Sequence, residues 1–175
     1  MSRYQGKLAR GKLARGKLAL LGACLLLMGS AEAAVTVNFV NPDKFSDLPR
    51  APWQREQALD DFSKHFKTLG ESLRPDQDMV IDVLDIDLAG REQPSRFGSD
   101  EIRVMHGGAD WPRMQLRYTL TEGGRTLARG EAQLQDQNYN TRINSYPSDA
   151  RWPHEFQMID DWWHKTIEPL ERAGR

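Results

Sequence analysis

Cysteine is nearly missing: the chain has one, Cys24, and it lies in the leader described below. The remainder must therefore fold without a disulfide, and thiol catalysis and cysteine-ligated metal centres are excluded from it. Histidine is scarce, with four in 175 residues, and none stands in an HExxH pattern. No nucleophile–histidine–acid order and no phosphate-cradling glycine loop is present, so no cofactor is expected. A long hydrophobic run is also lacking. The best, from Leu18 to Met28, has eleven residues, too short to cross a bilayer comfortably.

That short run has the layout of a secretory leader. Arg3, Lys7, Arg10, Lys12, Arg15 and Lys17 precede it with no acid among them, and Ala31 and Ala33 follow at signal-peptidase spacing. Cleavage is expected after Ala33, with residues 1–33 as signal peptide, 34–175 as one domain, and a periplasmic location. The repeated Gly-Lys-Leu-Ala-Arg of the leader only lengthens its basic region. Leu21-Gly22-Ala23-Cys24 resembles a lipoprotein box, but the apolar run continues past Cys24, so anchoring through it is the lesser alternative. The leader removes six bases and one acid from a total of −1, leaving 142 residues at −6. So acidic a body is not expected to bind nucleic acid or anionic lipid.

What the chain does have is one dense β-branched stretch, Met79 to Gly90 (MVIDVLDIDLAG). Val80, Ile81, Val83, Leu84, Ile86 and Leu88 put apolar atoms on both faces of an extended strand, as in a central, covered one. Val35, Val37 and Phe39 alternate as a first, half-buried strand, and Phe45 and Leu48 are expected to pin the loop after it. Pro52 opens a helix whose Leu59, Phe62, Phe66, Leu69 and Leu73 fall on one face, with His65 at its boundary. Residues 90–100 read as a polar loop, and Ile102–Met105 as a short strand. Arg113–Thr121 and Arg129–Gln135 alternate as a hairpin. Matching its buried faces pairs Leu116 with Ala132 and Arg117 with Glu131, which calls for a three-residue turn Gly123-Gly124-Arg125. Gln135–Asn138 reads as a solvated loop. Pro153 opens a last helix bearing Phe156, Ile159, Trp163, Ile167 and Leu170, bent or ended by Pro169. The sum is an α+β two-layer sandwich, with two helices on one face of a mainly antiparallel sheet of about four strands.

Chemistry-bearing candidates are few. Asp85 and Asp87 project from the same strand face. They are candidates for binding, for a metal together with His106, or for hydrolysis. The plain alternative is that they meet water or an arginine such as Arg91. His106, beside Gly107-Gly108 and Asp110, is a candidate base or a turn residue. Trp111 and Trp162 are candidate binding aromatics, Trp162 as the exposed neighbour of a core Trp163. No residue is assigned a catalytic role. A binding or accessory function toward a protein or small molecule of the cell envelope is the expectation.

At Asp85–Gly90 (DIDLAG) the chain resembles the domain of unknown function 3016 family. So do VTVNFVNPDKFSD, Ala109-Asp110-Trp111-Pro112-Arg113, and Met158–Trp163 (MIDDWW). That resemblance implies a small exported protein of Gram-negative bacteria. It brings no activity, substrate or catalytic residue, and it marks DIDLAG and ADWPR as natural places for a shared surface.

Overall fold

A computed structural model describes residues 33–95 and 101–173. The leader expectations and Cys24 lie outside them. In chain order come β1 (Ala34–Phe39), a 3-10 turn at Pro42–Lys44, α1 (Pro52–Gly70), β2 (Gln77–Asp87) and β3 (Arg91–Pro94). Then follow β4 (Glu101–Val104), β5 (Arg113–Glu122), β6 (Arg125–Gln135) and α2 (Pro153–Ala173). The main sheet has the order β1-β2-β5-β6, with β1 parallel to β2 and the other pairs antiparallel. The fold is the expected α+β sandwich, with β3 and β4 added as a separate two-stranded sheet. The stretch read as loop thus holds a strand, Arg91-Glu92-Gln93-Pro94, which has no apolar side chain to announce it.

The core lies between the helices and one sheet face. Phe62 and Phe66 of α1, Met79, Ile81 and Val83 of β2, Leu116 and Leu120 of β5, and Ile159, Trp163 and Ile167 of α2 are fully or almost fully buried. Each such side chain contributes on the order of 2 kcal/mol through burial. Ala58, Phe62, Phe66 and Gly70 form the buried line of α1. At Gly70 the helix touches β1 so closely that an added Cβ would lie 2.0 Å from a Val35 methyl. Phe45 and Leu48 pack on the core as expected.

Two irregularities set the faces. β2 is central but not covered on both sides, since Val80 is 39% exposed. A bulge between Val83 and Asp85 makes Leu84 an extra residue. Before it, odd positions (Met79, Ile81, Val83) point to the core. After it Ile86 does, while Asp85 and Asp87 pair with Gln115 and Arg113 on the polar face. The hairpin has the expected pairs Leu116–Ala132 and Arg117–Glu131. Its turn, however, is the two-residue Gly123-Gly124, both at positive φ. The register is recovered by a bulge at Leu127, between the Leu120–Ala128 and Thr121–Thr126 pairs. Two glycines accept a tight left-handed turn that matches strand twist, and the bulge supplies the extra residue. α2 runs on to Ala173 with Pro169 inside it.

Candidate functional site

Asp85 and Asp87 share a face and line a depression of about 230 Å³ with Ser46 and Arg113. Their oxygens are already engaged. Ser46 donates its backbone N–H to one oxygen of Asp85 and its hydroxyl to the other, each at 2.6 Å. Arg113 donates to Asp87 Oδ2 through Nε at 3.0 Å and through Nη2, and Arg91 Nη1 donates to Oδ1 at 3.1 Å. Asp87 is only 6% exposed, and these donors satisfy both oxygens of the buried carboxyl. The pair also fastens the loop after β1: Asp47 bridges to Asp87 in the sheet, and Arg103 Nη1 reaches Asp47 Oδ2 at 2.7 Å. Arg91 is thus the arginine partner that the sequence named.

DIDLAG and ADWPR meet in the same knot. Gly90 N–H donates to Asp110 O at 2.9 Å, and Ala89 N–H to Glu155 Oε1 at 2.7 Å. Ile86 through Gly90 are all buried. These segments therefore build the body instead of forming the open surface expected of them. Glu155, fully enclosed in the first turn of α2, has its carboxyl pushed up by burial, against the pull of the Ala89 N–H and Arg103.

His106 is not brought to the aspartates. It is exposed, with Nε2 3.4 Å from Gln93 Nε2 and Nδ1 3.8 Å from Asp110 Oδ2. Asp110 itself is buried and organises the turn, accepting from His106 N–H, Gly108 N–H and the Tyr139 hydroxyl at 2.7, 3.0 and 2.9 Å. Burial opposes its charge, but those donors prevail and hold its carboxyl below the ordinary range. Trp111 is half-buried, and the Arg113 guanidinium carbon stands 5.6 Å from its ring centroid. Trp162 is the clear correction. It is 8% exposed, packed edge-on against Phe66 and Tyr118. Ala128 and Ala132 of β6 pack against the core, and Gly130 lies under the Tyr118 ring, which an added Cβ would meet at 3.1–3.3 Å. Among the described residues no group of three or more His, Cys, Asp or Glu is placed to hold a metal. The residues 135–138 read as solvated include the buried Asp136, which accepts from Arg142 at 3.0 Å.

A cleft that the sequence did not point to lies along the outer face of α1. Its first arm, about 330 Å³, runs between Trp53, Gln54 and Gln57 of α1, Arg103 and Met105 of the β4 arm, and Trp152. A second, more open arm of about 440 Å³ shares Gln57, Arg151 and Trp152 and continues past Asp61, His65 and Thr68. Steps of three and four residues along α1 put Trp53, Gln57, Asp61, His65 and Thr68 on one stripe. Arg103 and Met105 are two apart on an extended chain and face the same way. Trp53 is 65% exposed and Met105 42%, large apolar surfaces left uncovered on opposite walls. Trp152 forms the floor, its indole N–H donating to Asp61 Oδ2 at 3.1 Å. His65 is held by Asp160 of α2, Nε2 to Oδ1 at 2.7 Å, and lies flat on Phe156 at 4.2 Å between centroids. Tyr146 donates to the other oxygen of Asp160 at 2.7 Å, and burial first, then Asp160, push its phenol well up. The only sequence signal for this cleft was the unassigned Trp53 beside Pro52.

The family model described as "Protein of unknown function (DUF3016)" matches residues 33–165. The chain belongs to that family. The match spans both helices and the whole main sheet, short only of the last turns of α2. Among curated proteins none matches. Among solved structures the chain is similar to protein XCC0632 from Xanthomonas campestris, whose description carries the family model DUF330. The identity is 16%, over 83% of this chain and 84% of that chain, with a TM-score of 0.33. A likeness at that level carries nothing further about function.

Proposed function

We propose that this DUF3016 protein is an exported, non-enzymatic binding protein of the cell envelope, and that its ligand seat is the α1 cleft. The observation that carries the reading is the pair Trp53 and Met105, both exposed on the walls of one cleft that has the buried Trp152 among its lining residues. A purely structural surface gains nothing from leaving a tryptophan two-thirds in water. Asp85 and Asp87, by contrast, spend their oxygens on Ser46, Arg113 and Arg91, which favours a structural part for them over a metal or hydrolytic one. Export is supported by the basic, apolar and small-residue order of the leader and by a cysteine-free body.

The test is fractionation followed by native mass spectrometry of protein expressed with its leader and purified without chelator. The expected species is periplasmic, begins at Ala34, and, when a periplasmic small-molecule extract is added back, carries a non-covalent adduct that is lost in Trp53→Ala. A lipid-modified species beginning at Cys24 would replace the soluble reading with an anchored one. A bound metal lost in Asp85→Ala would return the function to the carboxylates.

A further inference from the structure

The charges of the cleft are already cancelled from within. Arg103 Nη1 is 2.7 Å from Asp47, Arg151 Nη1 is 3.7 Å from Asp61, and Lys64 Nζ is 2.6 Å from Asp60. An anionic or cationic ligand would have to displace one of these partners. What stays unengaged is neutral or single-handed. The side-chain amides of Gln54 and Gln57 make no hydrogen bond among the described residues, and neither does the hydroxyl of Thr68. Arg103 Nη2 is buried without a hydrogen bond, its ion-pair partner Glu92 Oε1 standing 3.8 Å away. His65 has Nε2 on Asp160 Oδ1 at 2.7 Å, and its Nδ1 makes no hydrogen bond among the described residues. Beside these donors and acceptors stands the broad face of Trp53.

We propose that the cleft takes a neutral saccharide chain, one pyranose face lying on Trp53 and its hydroxyls read by Gln54, Gln57 and His65. A sugar ring is apolar on its C–H faces and hydroxyl-rich at its rim. The electron-rich face of an indole suits the first, and planar amides, each both donor and acceptor, suit the second. The shallow, two-armed shape suits an extended oligomer better than a compact molecule, which would want enclosure. A peptide would ask for paired backbone groups, whereas the α1 wall offers side chains only. This proposal rests on the cleft being the binding seat, and its test separates the two.

The probes are chitotetraose, maltotetraose and, as an apolar anion, anilinonaphthalene sulfonate, titrated into the mature protein by calorimetry. One of the two oligosaccharides is expected to bind with Kd on the order of 0.1–1 mM, as shallow carbohydrate seats do. Trp53→Ala should weaken it at least about tenfold and Gln57→Ala several-fold, while Trp111→Ala leaves it unchanged. The affinity should move by less than about twofold between low and high salt, because no net charge is engaged. Silence of both oligosaccharides up to about 10 mM, with the sulfonate binding in a Trp53-dependent way, would overturn the saccharide and keep the cleft. Oligosaccharide binding indifferent to Trp53→Ala would overturn the assigned seat. Silence of all three probes would overturn both.

Discussion

Glu155 and Asp110 are two buried carboxyls with opposite consequences for stability. Burial raises Glu155 above its ordinary value, so the native state holds that proton more tightly than the unfolded chain does. Its stabilising share is complete below the unfolded pKa and is lost as pH rises through the folded one. Glu155→Gln keeps an oxygen for the Ala89 N–H and removes that loss. The variant's melting temperature should therefore gain on the parent's between acid and neutral pH, and a constant difference would refute this. Asp110 is lowered, because three donors outweigh its burial. Its share is present above the unfolded pKa and is lost as pH falls through the folded one. Asp110→Asn should cost about 2 kcal/mol in urea at neutral pH, shrinking toward pH 3, since hydrogen bonds to a charged acceptor are the stronger kind. At this scale the sequence was half legible. Arg91 was named as a partner for the aspartates, and it does reach Asp87. The buried roles of Glu155, Asp136 and Trp162 depend on neighbours far away in the chain, and no local pattern announces them.

Strands and helices were far more legible, because periodicity is a local property. The hairpin shows both the reach and the limit of that reading. Facing residues were assigned correctly from the buried side alone, whereas the turn was not, because a bulge at Leu127 and a three-residue loop produce the same arithmetic. In β2 the bulge at Leu84 decides more. Period-two counting does put Asp85 and Asp87 on one side, but it puts them on the side of Val83, inside the core. The extra residue turns them out to Ser46 and Arg113. Deleting Leu84 would leave Val83, Asp85, Ile86 and Asp87 alternating in, out, in, out with no bulge, so the variant should keep a cooperative urea transition with Asp85 and Asp87 still facing Ser46 and Arg113. Loss of that transition would mean that the faces of β2 are not set by the extra residue at Leu84. β3 escaped notice because three polar residues and a proline carry no alternation, and it pairs only with β4.

For the molecule as a whole, the sequence drew attention to the carboxylates of the central strand, where the residues are unusual for their surroundings. The structure spends those residues on joining the β1 loop, the start of β5 and the β3–β4 arm into one body. The α1 cleft draws instead on separated stretches, residues 49–68, 103–105 and 151–156 together with Glu92, whose meeting only the fold reveals. The central claim is thus a division of labour: the Asp87 knot holds the fold together, and Trp53 is free to serve a ligand. Urea denaturation of Asp87→Ala and Trp53→Ala side by side tests it most directly. Asp87→Ala should lose about 2–4 kcal/mol, because Arg113 and Arg91 are left without their buried acceptor. Trp53→Ala should stay within about 0.5 kcal/mol of the parent, as an exposed first-turn residue. A stable Asp87→Ala protein together with a markedly weakened Trp53→Ala protein would contradict the account.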